Sequence, residues 1–141
     1  MNAMPDPTCD NADVKATDAA TQLVRDVMVK RPKTLPVEAT VADVRRFFEN
    51  PNVLNALLVD GTTFVGVLER DDVAPTAPET APARELAKRA GMTIAADAPM
   101  SEAMRMLDDY DERRLVVLAD DGQTLAGLLC LDKRRAGFCQ D

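Results

Sequence analysis

The sequence repeats itself. At an offset of 59, Arg25 falls on Arg84, Thr34 on Thr93, Val41 on Met100, Val44 on Ala103, Phe48 on Leu107 and Leu57 on Val116. Two residues inserted in the second turn raise the offset to 61. That brings Asp60-Gly61 onto Asp121-Gly122, Gly66 onto Gly127 and Asp71 onto Asp132. Apolar residues that recur in the same phase over such a length describe one supersecondary unit built twice. In 141 residues the two copies must pack on one another to bury an adequate core.

The order within each copy follows from local signals. Ala20, Leu23, Val24, Val27 and Met28 recur at helical spacing, and Pro32 closes that segment. An extended piece around Thr34 and Leu35 leads to Thr40, an N-cap with Asp43 three residues on. Behind it a helix presents Val41, Val44 and Phe48 on one face and stops near Asn50-Pro51. Strands are expected at Asn55–Asp60 and Thr63–Glu69, turning at Asp60-Gly61. The second copy predicts a short helix over Arg84–Ala90 and an extended piece over Met92–Ala95. A helix opened by Pro99 follows, with Met100, Ala103, Met104 and Leu107 at i, i+3, i+4 and i+7, and then strands over Arg114–Ala119 and Gln123–Leu131. Residues 1–18, poor in large apolar side chains, read as a mobile tail. The prolines at 75, 78 and 82 make the connection extended. The organisation is thus a tail at 1–18, a first repeat at 19–76, a linker at 77–83 and a second repeat at 84–141.

Composition removes several functions. A net charge of −7 argues against nucleic acid held by a broad basic face and against anionic lipid. No apolar run approaches the roughly 20 residues of a membrane span, and the N-terminus is not a secretory signal. Histidine is absent, which removes the Ser-His-Asp and Cys-His nucleophiles and the usual zinc sites. Cys9, Cys130 and Cys139 suggest neither a disulfide framework nor a metal site, and a reducing cytoplasm is the expected compartment. The acidic run Asp108, Asp109, Asp111 and Glu112 reads as a solvated helix end.

With these elements in order, the pattern resembles a tandem pair of CBS domains, a Bateman module. The matching stretches are VRDVMVKRPKTLPVEATVADVRRFF with NALLVDGTTFVGVLERDDV, and ARELAKRAGMTIAADAPMSEAMRML with RRLVVLADDGQTLAGLLCLDKRR. The resemblance implies an α+β fold of two β-α-β-β-α repeats packed with pseudo-twofold symmetry. It also implies a non-enzymatic regulatory role, an adenosine-containing nucleotide in the cleft between the repeats, and association into a homodimer.

The family's nucleotide signature is Gly, two hydrophobics, Thr or Ser, two variable residues, then Asp. A carboxylate there accepts hydrogen bonds from both ribose hydroxyls, and the hydroxyl helps hold a phosphate. In the first repeat the stretch is Gly66-Val67-Leu68-Glu69-Arg70-Asp71-Asp72: Asp72 matches, while Glu69 replaces the hydroxyl. In the second, Cys130 replaces the hydroxyl and Lys133 the ribose carboxylate. Thr34 and Leu35, with Thr93 and Ile94, match residues flanking the base. Arg113, Arg114, Lys133, Arg134 and Arg135 form a local basic group in which Arg114 and Lys133 are candidates for a phosphate. The expected nucleotide-binding set is therefore Thr34, Leu35, Leu68, Asp72, Thr93, Ile94, Arg114 and Lys133, with no catalytic or metal-binding residue. No cofactor is required, and AMP, ADP, ATP or another adenosyl compound is the expected ligand. The alternative is a ligand-free dimeric interaction module with degenerate sites. In either case an effector protein would receive the output.

Overall fold

The computed structural model describes residues 13–51, 53–88 and 93–140. In chain order its strands and α-helices are β1 (Val14–Lys15), α1 (Ala16–Ala19), α2 (Val24–Val27), β2 (Thr34–Pro36), α3 (Val41–Phe47), β3 (Asn55–Asp60), β4 (Thr63–Glu69), β5 (Thr93–Ala95), α4 (Met100–Asp109), β6 (Arg114–Leu118), β7 (Leu125–Leu131) and β8 (Gly137–Cys139). Short 3-10 turns lie at Arg70–Asp72 and Ala83–Glu85. This is the expected α+β class, and it forms two compact units: Lys33–Gly91, and Met1–Pro32 together with Met92–Asp141.

In the Lys33–Gly91 unit a three-stranded sheet runs β2-β3-β4, with β2 parallel to β3 and β3 antiparallel to β4. Thr40 caps α3 as its sequence predicts. The Thr40 hydroxyl accepts from the Asp43 N–H at 3.3 Å, and the Asp43 carboxylate accepts from the Thr40 N–H at 3.0 Å. The linker finishes the job: Val41 and Ala42 donate their N–H groups to the carbonyls of Ala81 and Glu79. Arg45 holds the same linker by donating to the Ala74, Pro75 and Ala77 carbonyls at 2.9–3.2 Å. Val44 and Phe48 of the helical segment pack with Ala56, Leu58 and Leu68 of the sheet in one buried cluster.

The other unit repeats the arrangement with additions. β5, β6 and β7 stand in the relation of β2, β3 and β4: Thr93 faces Val116 and Val116 faces Leu128, as Thr34 faces Leu57 and Leu57 faces Val67. Register shifts fall at Leu58/Val59 and at Val117/Leu118, which are equivalent positions. Gly61 and Gly122 both adopt positive φ, 62° and 70°, as the two Asp-Gly turns require. Here the sheet has five strands, β1-β8-β7-β6-β5. Met100, Ala103 and Leu107 of α4 pack with Val24 and Val27 of α2 and with Leu115, Val117, Leu129 and Phe138.

Several elements depart from the sequence expectation. The helix read from Ala20 onward is only α2, Val24–Val27: α1 ends before it at Ala19, and Leu23 is extended and bridges Pro99. The Val24 and Arg25 N–H groups go instead to the carbonyls of Ala98 and Ala96, so tertiary bonds replace helical ones. Residues 1–12 of the tail lie outside the described residues, whereas Val14 and Lys15 pair with Phe138 and Gly137. Of the expected Arg84–Ala90 helix the described residues 84–88 show only the turn Ala83–Glu85, because Lys88 pairs instead with Val67 through N–H to O bonds of 2.9 and 3.1 Å; residues 89 and 90 lie outside the described residues. β8 was not foreseen at all. Nor does the order of the units follow the order of the repeats, since α2 packs with the second sheet and Ala83 with the first. Cys130 is buried and outside any disulfide, but Cys139 is disulfide-bonded, which removes the cysteine argument for a reducing compartment. Among the described residues no helix is long and apolar enough to cross a membrane.

Candidate functional site

Strand direction decides which residues can share a site. With β2 parallel to β3 and β3 antiparallel to β4, the starts of β2 and β3 lie at the same end of the sheet as the finish of β4. Thr34 faces Leu57 and, through it, Val67, while Asn55 faces Glu69. The chain leaves β4 in the turn Arg70–Asp72, so Thr34, Glu69 and Asp72 gather at one sheet end.

Asp72 is partly buried there, its side chain 13% exposed. One carboxylate oxygen accepts the Glu69 N–H at 2.7 Å and so caps the 3-10 turn; the other meets Lys88 Nζ at 3.1 Å. The same ammonium lies 3.9 Å from a Glu69 oxygen. Lys88 was not singled out in the sequence, where it is one more cation in a charged stretch. Its backbone pairing with Val67 beside Gly66 delivers it to the carboxylates. Arg70 is turned elsewhere, its guanidinium 4.9 Å from the centre of the Phe48 ring and bonded to the Phe48 and Asn50 carbonyls at 2.8 and 2.6 Å.

The remaining expected residues divide by burial. Thr34 is exposed and Leu35 half-buried, and Leu35 lines an open groove of about 480 Å³ with Pro36, Ala39, Asp43, Arg46 and Phe47. Leu68 is fully buried in the core cluster, which leaves only its backbone for a ligand. At the equivalent end of the second sheet Thr93 is half-buried and Lys133 exposed, while Ile94 belongs to the core. Arg114 is 8% exposed and donates to the Arg113 and Leu131 carbonyls at 3.1 and 3.2 Å. Burial lowers its pKa, the Cys130 thiol beside it pulls the other way, and Arg113 adds to the lowering. Cys130 itself is a buried strand residue facing Arg114 across the sheet.

Asp132, the partner of Asp71 by the repeat, is 3% exposed and accepts the Ala136 and Gly137 N–H groups at 2.7 and 3.3 Å. It shapes the turn into β8, a use its first-repeat counterpart does not have. Arg135 draws the acidic helix end together, 3.3 Å from Asp108 and 3.9 Å from Asp111. The first sheet end therefore holds a hydroxyl and two carboxylates sharing one ammonium. The second holds a hydroxyl and a cationic rim.

A family model for the CBS domain matches residues 24–76 and 83–132. No curated protein matches the chain. Solved structures share the fold. A Vibrio cholerae protein named for acetoin utilization (AcuB) is 21% identical, with 78% of this chain and 84% of that chain covered and a TM-score of 0.69. A CBS domain pair/ACT domain protein from Thermotoga maritima is 14% identical over 78% of this chain and 90% of that one, with a TM-score of 0.66. The cytosolic domain of the Mg2+ channel MgtE, solved in complex with ATP, is 22% identical over 84% of this chain but only 46% of that one, with a TM-score of 0.63.

Proposed function

The chain belongs to the CBS domain family, whose paired repeats are regulatory rather than catalytic, and we propose that it is a ligand-binding regulatory module for an adenosine-containing compound. The observation that supports this reading is that the β2-β3-β4 pairing and the turn after β4 put Thr34 and Asp72 at the same end of one sheet. Asp72 would receive the ribose hydroxyls on the oxygen that now meets Lys88, keeping its other oxygen on the Glu69 N–H. Thr34 and Leu35 would face the base. The solved ATP complex of the MgtE domain supports the ligand class. The output passes through a homodimer or an effector protein.

The test is a thermal-shift and calorimetric titration of the purified chain with adenosine, AMP, ADP, ATP, S-adenosylmethionine and NAD. Bound ligand stabilises the fold by about 2.7 kcal/mol at a hundredfold excess over its Kd. Asp72→Asn keeps an oxygen to accept the Glu69 N–H but weakens acceptance from a diol, so it lowers affinity without unfolding the turn. A flat response to every compound at millimolar concentration refutes the reading. One feature favours the second reading, a ligand-free dimeric interaction module: at the other sheet end Cys130 is buried and Lys133 stands in the ribose position.

A further inference from the structure

We propose, resting on the adenosyl reading above, that the site at Asp72 selects adenosyl compounds whose 5′ substituent is uncharged or cationic and discriminates against 5′-phosphates. Glu69 and Asp72 are both within reach of Lys88 Nζ, at 3.9 and 3.1 Å, so their oxygens lie no farther apart than those two distances combined. A ribose held by its diol on Asp72 has its 5′ carbon only a few ångströms from the diol, within range of the Glu69 carboxylate. Glu69 is half exposed at the end of β4, and a carboxylate is an acceptor only, with no proton to offer a phosphate oxygen.

The cations nearby do not reverse this. Lys88 gives up the Asp72 oxygen when the ribose takes it, but it still has Glu69 as a partner, 3.9 Å away, and a phosphate would have to draw it from that carboxylate. The Arg70 guanidinium is committed to the Phe48 ring and to two carbonyls. Lys33, next to Thr34, and Asp71 are exposed charges of opposite sign at the same end. A phosphate dianion would thus enter a site where two carboxylates, Glu69 and Asp72, face one ammonium, while a sulfonium or an amine would find the excess negative charge. At such separations like-charge repulsion weakens binding roughly tenfold or more.

The experiment is calorimetry on the full chain with adenosine, S-adenosylmethionine, AMP and ATP, first in EDTA and again with Mg2+. It is repeated on Glu69→Thr and Glu69→Gln. The expected result is that adenosine and S-adenosylmethionine bind at least about tenfold more tightly than AMP. Both variants should narrow the adenosine-to-AMP affinity ratio and should weaken S-adenosylmethionine relative to adenosine. AMP or ATP binding the unaltered chain as tightly as adenosine, in either buffer, overturns the selectivity while leaving the adenosyl site standing. So does a ratio that neither variant moves. If no adenosyl compound binds at all, the site itself is refuted and the selectivity with it.

Discussion

Replacing Gly127 by Ala separates close backbone packing from every other reason for a glycine in a strand. Gly127 is in the middle of β7, and a Cβ there would sit 2.5 Å from the Val29 carbonyl oxygen and 2.6 Å from Met28 Sδ. The methionine side chain can swing away. The Val29 carbonyl cannot, because it accepts the Leu128 N–H at 3.0 Å while the Val29 N–H donates to Leu128 at 2.8 Å. Restoring an ordinary carbon–oxygen contact of about 3.3 Å needs a shift of roughly 0.8 Å in that crossing segment. Overpacking of this kind costs about 1–3 kcal/mol, and each strained bond puts up to about 1 kcal/mol more at risk. Alanine gives back about 0.4–1 kcal/mol by restricting the unfolded chain. The net expectation is a loss of about 2–3 kcal/mol, which moves a urea midpoint down by about 1 M. The assay is urea unfolding followed by far-UV circular dichroism, since the chain has no Trp. Gly66→Ala is the control. There the added Cβ meets Ala87 Cβ at 3.0 Å and the Lys88 carbonyl at 3.3 Å, so a small adjustment suffices and the cost stays within about 1 kcal/mol. If Gly127→Ala costs no more than Gly66→Ala, the crossing of Val29 over β7 does not constrain the strand and the reasoning fails.

Two further outcomes follow from the polar contacts. The Thr40 N–H, its hydroxyl and Arg46 lower the Asp43 pKa, partly opposed by burial; the Thr124 hydroxyl, with the Thr124 and Gln123 N–H groups, does the same for Asp121. A carboxyl depressed in the folded state stabilises above its unfolded pKa, about 3.9, and that contribution is lost as pH falls through the folded value. Asp43→Asn with Asp121→Asn should therefore lower stability at neutral pH and flatten its decline below about pH 4. Parallel stability–pH curves for variant and parent would contradict this. Arg45→Ala frees the linker carbonyls of Ala74, Pro75 and Ala77 and the ion pair with Glu79, so limited proteolysis within residues 74–79 should quicken about fivefold, equivalent to roughly 1 kcal/mol of local stability. An unchanged cleavage rate would show that the prolines alone hold the linker.

The duplication, the strands β3 and β4, the Asp-Gly turns and the Thr40 cap were all legible in the sequence. Each is a local matter, in which alternation, a positive-φ turn or a side chain reaching three residues along settles the outcome where the residues stand. The repeat offset even anticipated the paired registers, since Thr34–Leu57 and Thr93–Val116 occupy the same place in their sheets. Asp72 could be read as a candidate because it stands at the Asp of the signature that the family resemblance supplies, six residues after Gly66. What its carboxylate touches could not, because Lys88 reaches it through a backbone pairing with Val67 across more than twenty residues of chain. The broken first helix, β8 and the pairing of β1 with it have the same cause. Their hydrogen bonds are satisfied by segments remote in sequence: Val24 and Arg25 by the 96–98 loop, Val14 by Phe138. Local propensity has no term for such partners, and the folded chain supplies them only once both units have closed.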